Sequence, residues 1–157
     1  MVELPLHPLL VHIPVGLAVA VAILAPAVWL TWARGALPRR AWWLVPLVQG
    51  FLLVSVVAAV RTGELAEQEA RRVLPGEQVD RHETLGTRFI VLVVVTLLLA
   101  LAASLVADER RARQLALAAI ISSLVQLAAC AVVSHAGGAL VWGPDGLIEQ
   151  RGPSADP

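Results

Sequence analysis

Charged residues divide the chain into four long apolar stretches. Residues 4–33, 41–60, 89–107 and 114–144 contain no Asp, Glu, Lys or Arg. Each stretch holds the ~20 apolar residues with which a helix crosses the hydrocarbon core of a bilayer. The pattern therefore predicts an all-α integral membrane four-helix bundle. Its spans are predicted at about 13–33, 41–60, 84–107 and 114–135.

The overall composition supports the same fold class. Of the 157 residues, 58% are hydrophobic and 15% are charged, and the mean hydropathy is +0.76. Soluble domains carry about a quarter charged residues. A soluble bundle would need four helices without a polar face, in a chain too small to cover them. We therefore expect a lipid bilayer as the environment, and no nucleic acid partner.

Arginines in two short connections set the predicted orientation. Residues 34–40 and 108–113 hold six arginines and two acidic residues, whereas the other six arginines are spread over a longer loop and the tail. Basic residues in short loops stay in the cytoplasm. Both termini and the loop 61–83 are therefore predicted to lie outside the bacterial inner membrane. No Lys or Arg precedes the first apolar stretch, so we do not expect a cleavable signal peptide.

The loop between the second and third spans is too polar to enter lipid. Its segment ELAEQEARRVL predicts a short extracytoplasmic loop helix with Glu67 and Arg71 paired across one turn. The pair Pro75-Gly76 is predicted to end this helix. The pattern Asp80-x-x-Glu83 resembles a capping box, so the third helix is predicted to begin near Arg81.

The C-terminal segment shows turn chemistry. Residues 137–152, GGALVWGPDGLIEQRG, predict a short C-terminal hairpin that turns at Gly-Pro-Asp-Gly. We therefore expect one four-span domain over residues 1–147, followed by a flexible tail over 148–157.

Uncharged polar side chains within the spans predict helix packing. Gln49 and Gln126 are each expected to be interhelical hydrogen-bond partners, because a buried amide in lipid needs a partner. The same role is predicted for Ser55, Thr96, Ser104, Ser122 and Ser123. Cys130 lies in the fourth span and is expected to be a small buried residue without a disulfide.

The histidines are the candidate functional residues. All four are predicted at the outer ends of the spans: His7, His12, His82 and His135. Pro14 is expected to kink or restart the first helix and so direct His7 and His12 towards the bundle. Three histidines have a small residue one turn deeper, namely Gly16, Gly86 and Ala131. A flat patch beside an imidazole suits a porphyrin plane or a close helix contact. Histidines at a membrane boundary also serve as interfacial residues bonded to water or to carbonyls.

Several segments resemble one family of bacterial membrane proteins. HPLLVHIPVGL, RTGELA, RHETLG and GGALVWGPDG resemble the opening, central and closing motifs of the family catalogued as domain of unknown function 2231. The resemblance runs from residue 7 to about residue 147. The chain departs from the closing motif at Trp142, where the family usually has tyrosine, and at Pro144-Asp145. The resemblance implies a four-span fold, and it implies no reaction.

Haem binding is the first functional hypothesis. Four-helix bundles hold b-type haem between helices, with histidine as an axial ligand. His12 and His135 are the expected pair, because both lie within about a residue of the predicted membrane boundary. His82 is placed roughly 10 Å above Phe89. His7 would serve as an alternative ligand or bind a second haem. Such a protein would exchange electrons with a quinol or an extracytoplasmic cytochrome.

Two other hypotheses compete with haem. Three or four of the histidines, His12, His135 and His82 first among them, would form a Zn or Cu site, with Glu64 and Glu83 nearby. Alternatively, the protein is a cofactor-free accessory subunit that packs against other membrane subunits. The sequence leaves open whether the protein is an enzyme.

Overall fold

The chain folds into four helices arranged up and down. The computed structural model describes residues 10–143, apart from the side chains at 66, 68–70 and 73. Helix α1 covers His12–Ala33, and a 3-10 turn at Arg39–Trp43 leads into α2. The later helices are α2 (Leu44–Val73), α3 (Gly76–Leu105) and α4 (Glu109–Trp142). The predicted all-α fold and four spans are confirmed.

All four helices are long and apolar enough to cross a membrane. At about 1.5 Å per residue, the 22 residues of α1 match a hydrocarbon core of about 30 Å. Helices α2 and α3 have 30 residues each and α4 has 34, so all three exceed that thickness. The protein is therefore a membrane-spanning bundle whose last three helices project beyond the bilayer.

The polar loop between the second and third spans is helical almost throughout. The segment predicted as a separate loop helix continues α2 without a break as far as Val73. Only Leu74 and Pro75 separate α2 from α3, which begins at Gly76 rather than near Arg81. Asp80 therefore lies inside α3, and its predicted capping role is wrong. Its carboxylate instead approaches Arg71 Nη2 at 2.6 Å, while Arg71 Nε contacts Glu67 at 2.5 Å.

The first helix ends in a Schellman motif at the glycine of the sequence TWARGA. Gly35 has φ +73°, a value that glycine adopts without strain. Its N–H donates to the carbonyl of Trp32 at 2.9 Å, and the Ala36 N–H donates to the carbonyl of Thr31 at 2.9 Å. The chain therefore turns sharply out of α1 and can enter the neighbouring helix after a short connection.

The segment 137–142 was predicted as one arm of a hairpin and is helical instead. It forms the last part of α4, which ends at Trp142. Residues such as Val141 and Trp142 favour strands only where a partner strand is present, and here α4 packs against α3. The predicted turn, the tail 148–157 and His7 lie outside the described residues.

The four helices pack in a ring, each against its two neighbours in the sequence order α1, α2, α3, α4 and back to α1. The buried core consists of two apolar clusters. One lies near the connections 34–43 and 106–108 and includes Trp32, Trp42 and Ala103. The other lies towards the opposite end and includes Leu52, Phe89 and Cys130. Burial of Cys130 confirms the prediction for this residue.

Large apolar side chains cover much of the outer surface. Among the most exposed are Ile23, Phe51, Val54 and Ile121, one or two from each of α1, α2 and α4. In water such a surface would drive aggregation, whereas lipid chains solvate it. The exposed apolar residues are therefore the lipid-facing side of the bundle.

Candidate functional site

The three described histidines lie at one end of the bundle, which we call the histidine end. His12 begins α1, His82 lies in the first part of α3, and His135 lies in the last part of α4. Because neighbouring helices run in opposite directions, these three positions are at the same end. The opposite end, formed by residues 34–43 and 106–113, is called the arginine end.

His82 is the described histidine that faces another helix. It lies seven residues before buried Phe89 and three after buried Val79, and therefore shares their face of α3. A Cβ built on Gly137 of α4 would lie 2.9 Å from His82 Cε1, 3.4 Å from Nδ1 and 3.5 Å from Nε2. These similar distances indicate that the imidazole lies broadside against Gly137. The Nδ1 atom is buried there.

Gly137 is the position of the candidate site that sequence reasoning missed. The small residues considered were those one turn deeper than each histidine, on the same helix. Gly137 instead belongs to the helix opposite His82, and any larger residue there would occupy the place of the imidazole. The paired glycines at 137–138 were the available signal, but the hairpin interpretation assigned them to a strand.

His12 and His135 are both exposed. His12 is two residues from buried Pro14, which corresponds to about 200° around α1. His135 is likewise two residues, or about 200°, from Gly137, which faces α3. Both imidazoles therefore start from faces turned away from the neighbours that Pro14 and Gly137 contact. Pro14 lies in the first turn of α1, which agrees with the prediction that the helix restarts there.

Contact with Gly137 places His82 and His135 at similar heights in the bundle. The His82 ring lies about two residues along α4 from His135, or about 3 Å. This contact does not rank one histidine above the other as a ligand. The assignment of His12, His135, His82 and His7 as ligands stays a prediction.

Glycines near the histidine end leave open surface. A Cβ built on Gly16, Gly86 or Gly138 would have no described atom within 4 Å, apart from its own helix backbone and chain neighbours. Within residues 10–143, no neighbouring helix therefore comes so close to these positions that only glycine would fit.

The acidic residues near the histidine end are engaged with arginine. Arg71 contacts Glu67, Asp80 and also Glu83, the last at 3.5 Å. Its hydrogen bond to Glu67, followed by that to Asp80, raises the pKa of the Arg71 guanidinium. Glu64 contacts Arg61 at 3.0 Å. In the described part of the chain, no three His, Cys, Asp or Glu residues form a group that could hold a metal ion.

The arginine end is closed by side chains that bond to backbone carbonyls. Arg39 donates to the carbonyls of Ala103, Ser104 and Val106, and so caps the end of α3. Trp42 Nε1 donates to the Ala100 carbonyl at 3.1 Å. From the sequence, Arg39 was interpreted only as one of the arginines that determine the orientation in the membrane. Its capping of α3 was not predicted.

Polar side chains link the helices at mid-bundle, as predicted. Gln49 of α2 donates through Nε2 to Gln126 Oε1 of α4 at 2.6 Å. Thr96 of α3 and Ser122 of α4 share a hydrogen bond of 2.7 Å. Ser123 bonds within its own helix. The predicted interhelical role is confirmed for Gln49, Gln126, Thr96 and Ser122, whereas Ser55 and Ser104, like Ser123, bond within their own helices.

Comparison with known proteins gives one match, at the level of the family. Neither the curated proteins nor the solved structures compared with this chain include a match. The model of the family described as "Predicted membrane protein (DUF2231)" matches residues 3–146. That range includes all four helices, the four histidines and Gly137. Because the match covers nearly the whole sequence, the chain belongs to this family of predicted membrane proteins.

Proposed function

We propose that the protein binds a b-type haem at the histidine end and exchanges electrons there, on one side of the membrane. The observation that carries the proposal is the inward-facing His82, whose imidazole rests against Gly137. An axial ligand must be held by surrounding protein, and a ligating histidine usually has its second ring nitrogen turned towards protein groups. Because Nδ1 of His82 is buried, the proposal assigns the other ring nitrogen, Nε2, to the iron.

A second axial ligand would come from His7, His12 or His135. His12 and His135 are exposed, so either imidazole would reach a haem only on the surface groove beside its own helix. The open positions at Gly16, Gly86 and Gly138 supply flat surface for a porphyrin in that region. A b-type haem needs one or two axial ligands, whereas a Zn or Cu site needs three or more ligands. The smaller number of ligands is easier for this arrangement to supply.

Electron exchange would take place on one side only. The three described histidines lie at the histidine end, and residues 34–43 and 106–113 contain no histidine. Bound haem would supply one-electron chemistry, with a quinol or an extracytoplasmic cytochrome as donor or acceptor. The chain itself would hold the haem and shield it from water. Transfer across the bilayer would require another membrane subunit.

An absorption spectrum tests the proposal directly. We expect the purified protein, reduced with dithionite, to show a Soret band with sharp α and β bands. A colourless protein with stoichiometric Zn or Cu would contradict the haem proposal and support a metal site. A colourless, metal-free protein would contradict both and support an accessory subunit without a cofactor.

Alanine variants of the four histidines identify the ligands. We expect His82→Ala to lose most of the haem, measured as pyridine haemochrome on equal amounts of folded protein. The sequence-based ranking instead expects the largest loss from His12→Ala, with His135 as its partner. Full haem content in His82→Ala, together with loss in His12→Ala and His135→Ala, would favour the surface pair over the inward-facing histidine.

We also propose that the histidine end faces outward and the arginine end faces the cytoplasm, because the short connections carry the dense arginines. A cysteine at Gln78 is expected to react with an impermeant thiol reagent in intact cells, whereas a cysteine at Ala36 is not. Both positions are exposed or half-buried at opposite ends of the bundle. Labelling at Ala36 but not at Gln78 would contradict this orientation.

A further inference from the structure

A layer of buried polar side chains separates the two apolar clusters. Gln49 and Gln126 are fully buried, and Thr96 and Ser123 are buried beside them. Gln49 lies near the middle of the charge-free stretch 41–60. This polar layer is therefore surrounded by protein and lies deep within the membrane.

Hydrogen bonds within the layer satisfy only some of the donors and acceptors of its side chains. Gln49 Nε2 donates to Gln126 Oε1 at 2.6 Å and to the carbonyl of Val93 at 3.1 Å, which uses both of its hydrogens. Gln49 Oε1 and Gln126 Nε2 are buried and have no hydrogen-bond partner among residues 10–143. One acceptor and one donor therefore remain on adjacent carboxamides.

Exchanging the oxygen and nitrogen atoms within the two carboxamides does not provide partners for the remaining acceptor and donor. With both amides reversed, Gln126 would donate to Gln49, but Gln49 Oε1 would then face the carbonyl oxygen of Val93. Two acceptor oxygens at hydrogen-bond distance repel each other, so the Val93 carbonyl fixes the orientation of Gln49. Gln49 then requires an acceptor at Gln126, which fixes the second amide as well.

We propose that this layer is a binding site for a single water molecule. The water donates to Gln49 Oε1 and accepts from Gln126 Nε2, and so links α2 to α4 across the centre of the bundle. Buried waters make about two to four hydrogen bonds to polar groups that otherwise lack partners. The ligand is neutral because the stretches 41–60, 89–107 and 114–144 contain no charged residue. Lipid headgroups do not reach it, since both glutamines are fully buried.

Water-edited solid-state NMR on the full chain in lipid bilayers tests the site. In uniformly 15N-labelled protein, magnetisation is transferred from water protons to the glutamine side-chain nitrogens and to the backbone amides. We expect the Gln126 side-chain signal to build up at least several-fold faster than the backbone amide signal of buried Val93. Exposed Gln114 is the positive control for contact with water. Equal build-up for Gln126 and Val93 would overturn the proposal.

Paired substitutions provide a second measurement. Gln49→Met removes the acceptor of the water and also the donor that bonds to Gln126, so the Gln126 amide is left buried without a partner. In the double variant Gln49→Met/Gln126→Met no amide remains. We therefore expect the single variant to have the lower unfolding temperature. Water transfer to the neighbouring Ser123 and Thr96 signals should be lost in the double variant. Persistence of that transfer would show that the water is held elsewhere. If the double variant does not fold, the wild-type build-up decides the question alone.

Discussion

The two ends of the bundle are stabilised by different kinds of interaction. At the arginine end, buried or half-buried side chains bond to carbonyls and carboxylates of other segments. Trp42 bonds to α3, Arg39 caps α3, and Trp32 Nε1 donates to Glu109 at 2.9 Å. At the histidine end, α2 and α3 are joined by exposed ion pairs of Arg71 with Asp80 and Glu83, beside buried Leu74 and Val79. Open positions at Gly16, Gly86 and Gly138 add little packing there.

This difference indicates which end can accommodate a ligand. Side-chain bonds to buried carbonyls hold helix ends in one arrangement, because breaking them leaves polar groups without partners in a membrane. Exposed ion pairs contribute little to stability and reform easily. The arginine end is therefore expected to remain rigid, whereas the histidine end is expected to open and to adapt to a bound group.

The largest expected effect concerns the adjacent tryptophans of the arginine end. Trp42 is fully buried, whereas Trp43 is 47% exposed. Trp42→Ala is expected to lower the free energy of unfolding by about 3–5 kcal/mol, because it leaves a cavity and removes the bond to Ala100. Trp43→Ala should change it by about 0.5 kcal/mol or less. Denaturant titration in mixed micelles measures both, and equal losses would contradict the assignment of Trp42 to the core.

The next largest effect is expected for Arg39, compared with its neighbour Arg40 of equal charge. Arg39→Ala removes the cap of α3 and is expected to lower the free energy of unfolding by about 1.5 kcal/mol. This value is at the lower end for hydrogen bonds of a charged group, because Arg39 is partly exposed. Arg40 is exposed, and no hydrogen bond or ion pair with a described residue is found for its side chain. Arg40→Ala should therefore leave unfolding nearly unchanged. Arg39→Lys would not restore the loss, since lysine lacks the planar fork that reaches several carbonyls.

A smaller effect is expected from the paired glycines of the histidine end. Gly138→Ala is expected to stabilise α4 by up to about 1 kcal/mol, because its new methyl group meets open space. Gly137→Ala should gain less, because its methyl group displaces the His82 ring. NMR signals of the His82 imidazole should shift in Gly137→Ala and stay in place in Gly138→Ala. Unchanged His82 signals in both variants would contradict the contact with Gly137.

The smallest change in overall stability is expected from Arg71→Gln. Loss of the contacts to Glu67, Asp80 and Glu83 should loosen the projecting ends of α2 and α3. Hydrogen exchange of backbone amides around residues 67–83 should become faster, while exchange near Trp42 remains the same. The matched variant Arg61→Gln removes only the pair with Glu64 and should leave residues 74–83 unaffected. Equal exchange in both variants would exclude a specific role for Arg71.

The sequence by itself determined the spans and the residues available for function. Transfer of an apolar segment into lipid depends mainly on the composition of that segment, so four charge-free stretches were enough to predict four helices. The Gln49–Gln126 bond was also predictable, because an amide in the membrane interior needs a partner. The continuation of α2 to Val73 and of α4 to Trp142 was missed, since turn and capping signals were assigned there without knowledge of the packing partner.

Only the tertiary structure decided which face of each helix meets its neighbours. In water, the polar face of a helix marks the solvent side, but in lipid both the outer and the inner faces of α1 and α4 are apolar. Periodicity therefore did not indicate that His82 faces α4 while His12 and His135 are exposed. Nor did it distinguish Trp42 from Trp43, or Arg39 from Arg40. These differences arise from contacts between segments far apart in the chain, such as His82 with Gly137 and Arg39 with Val106.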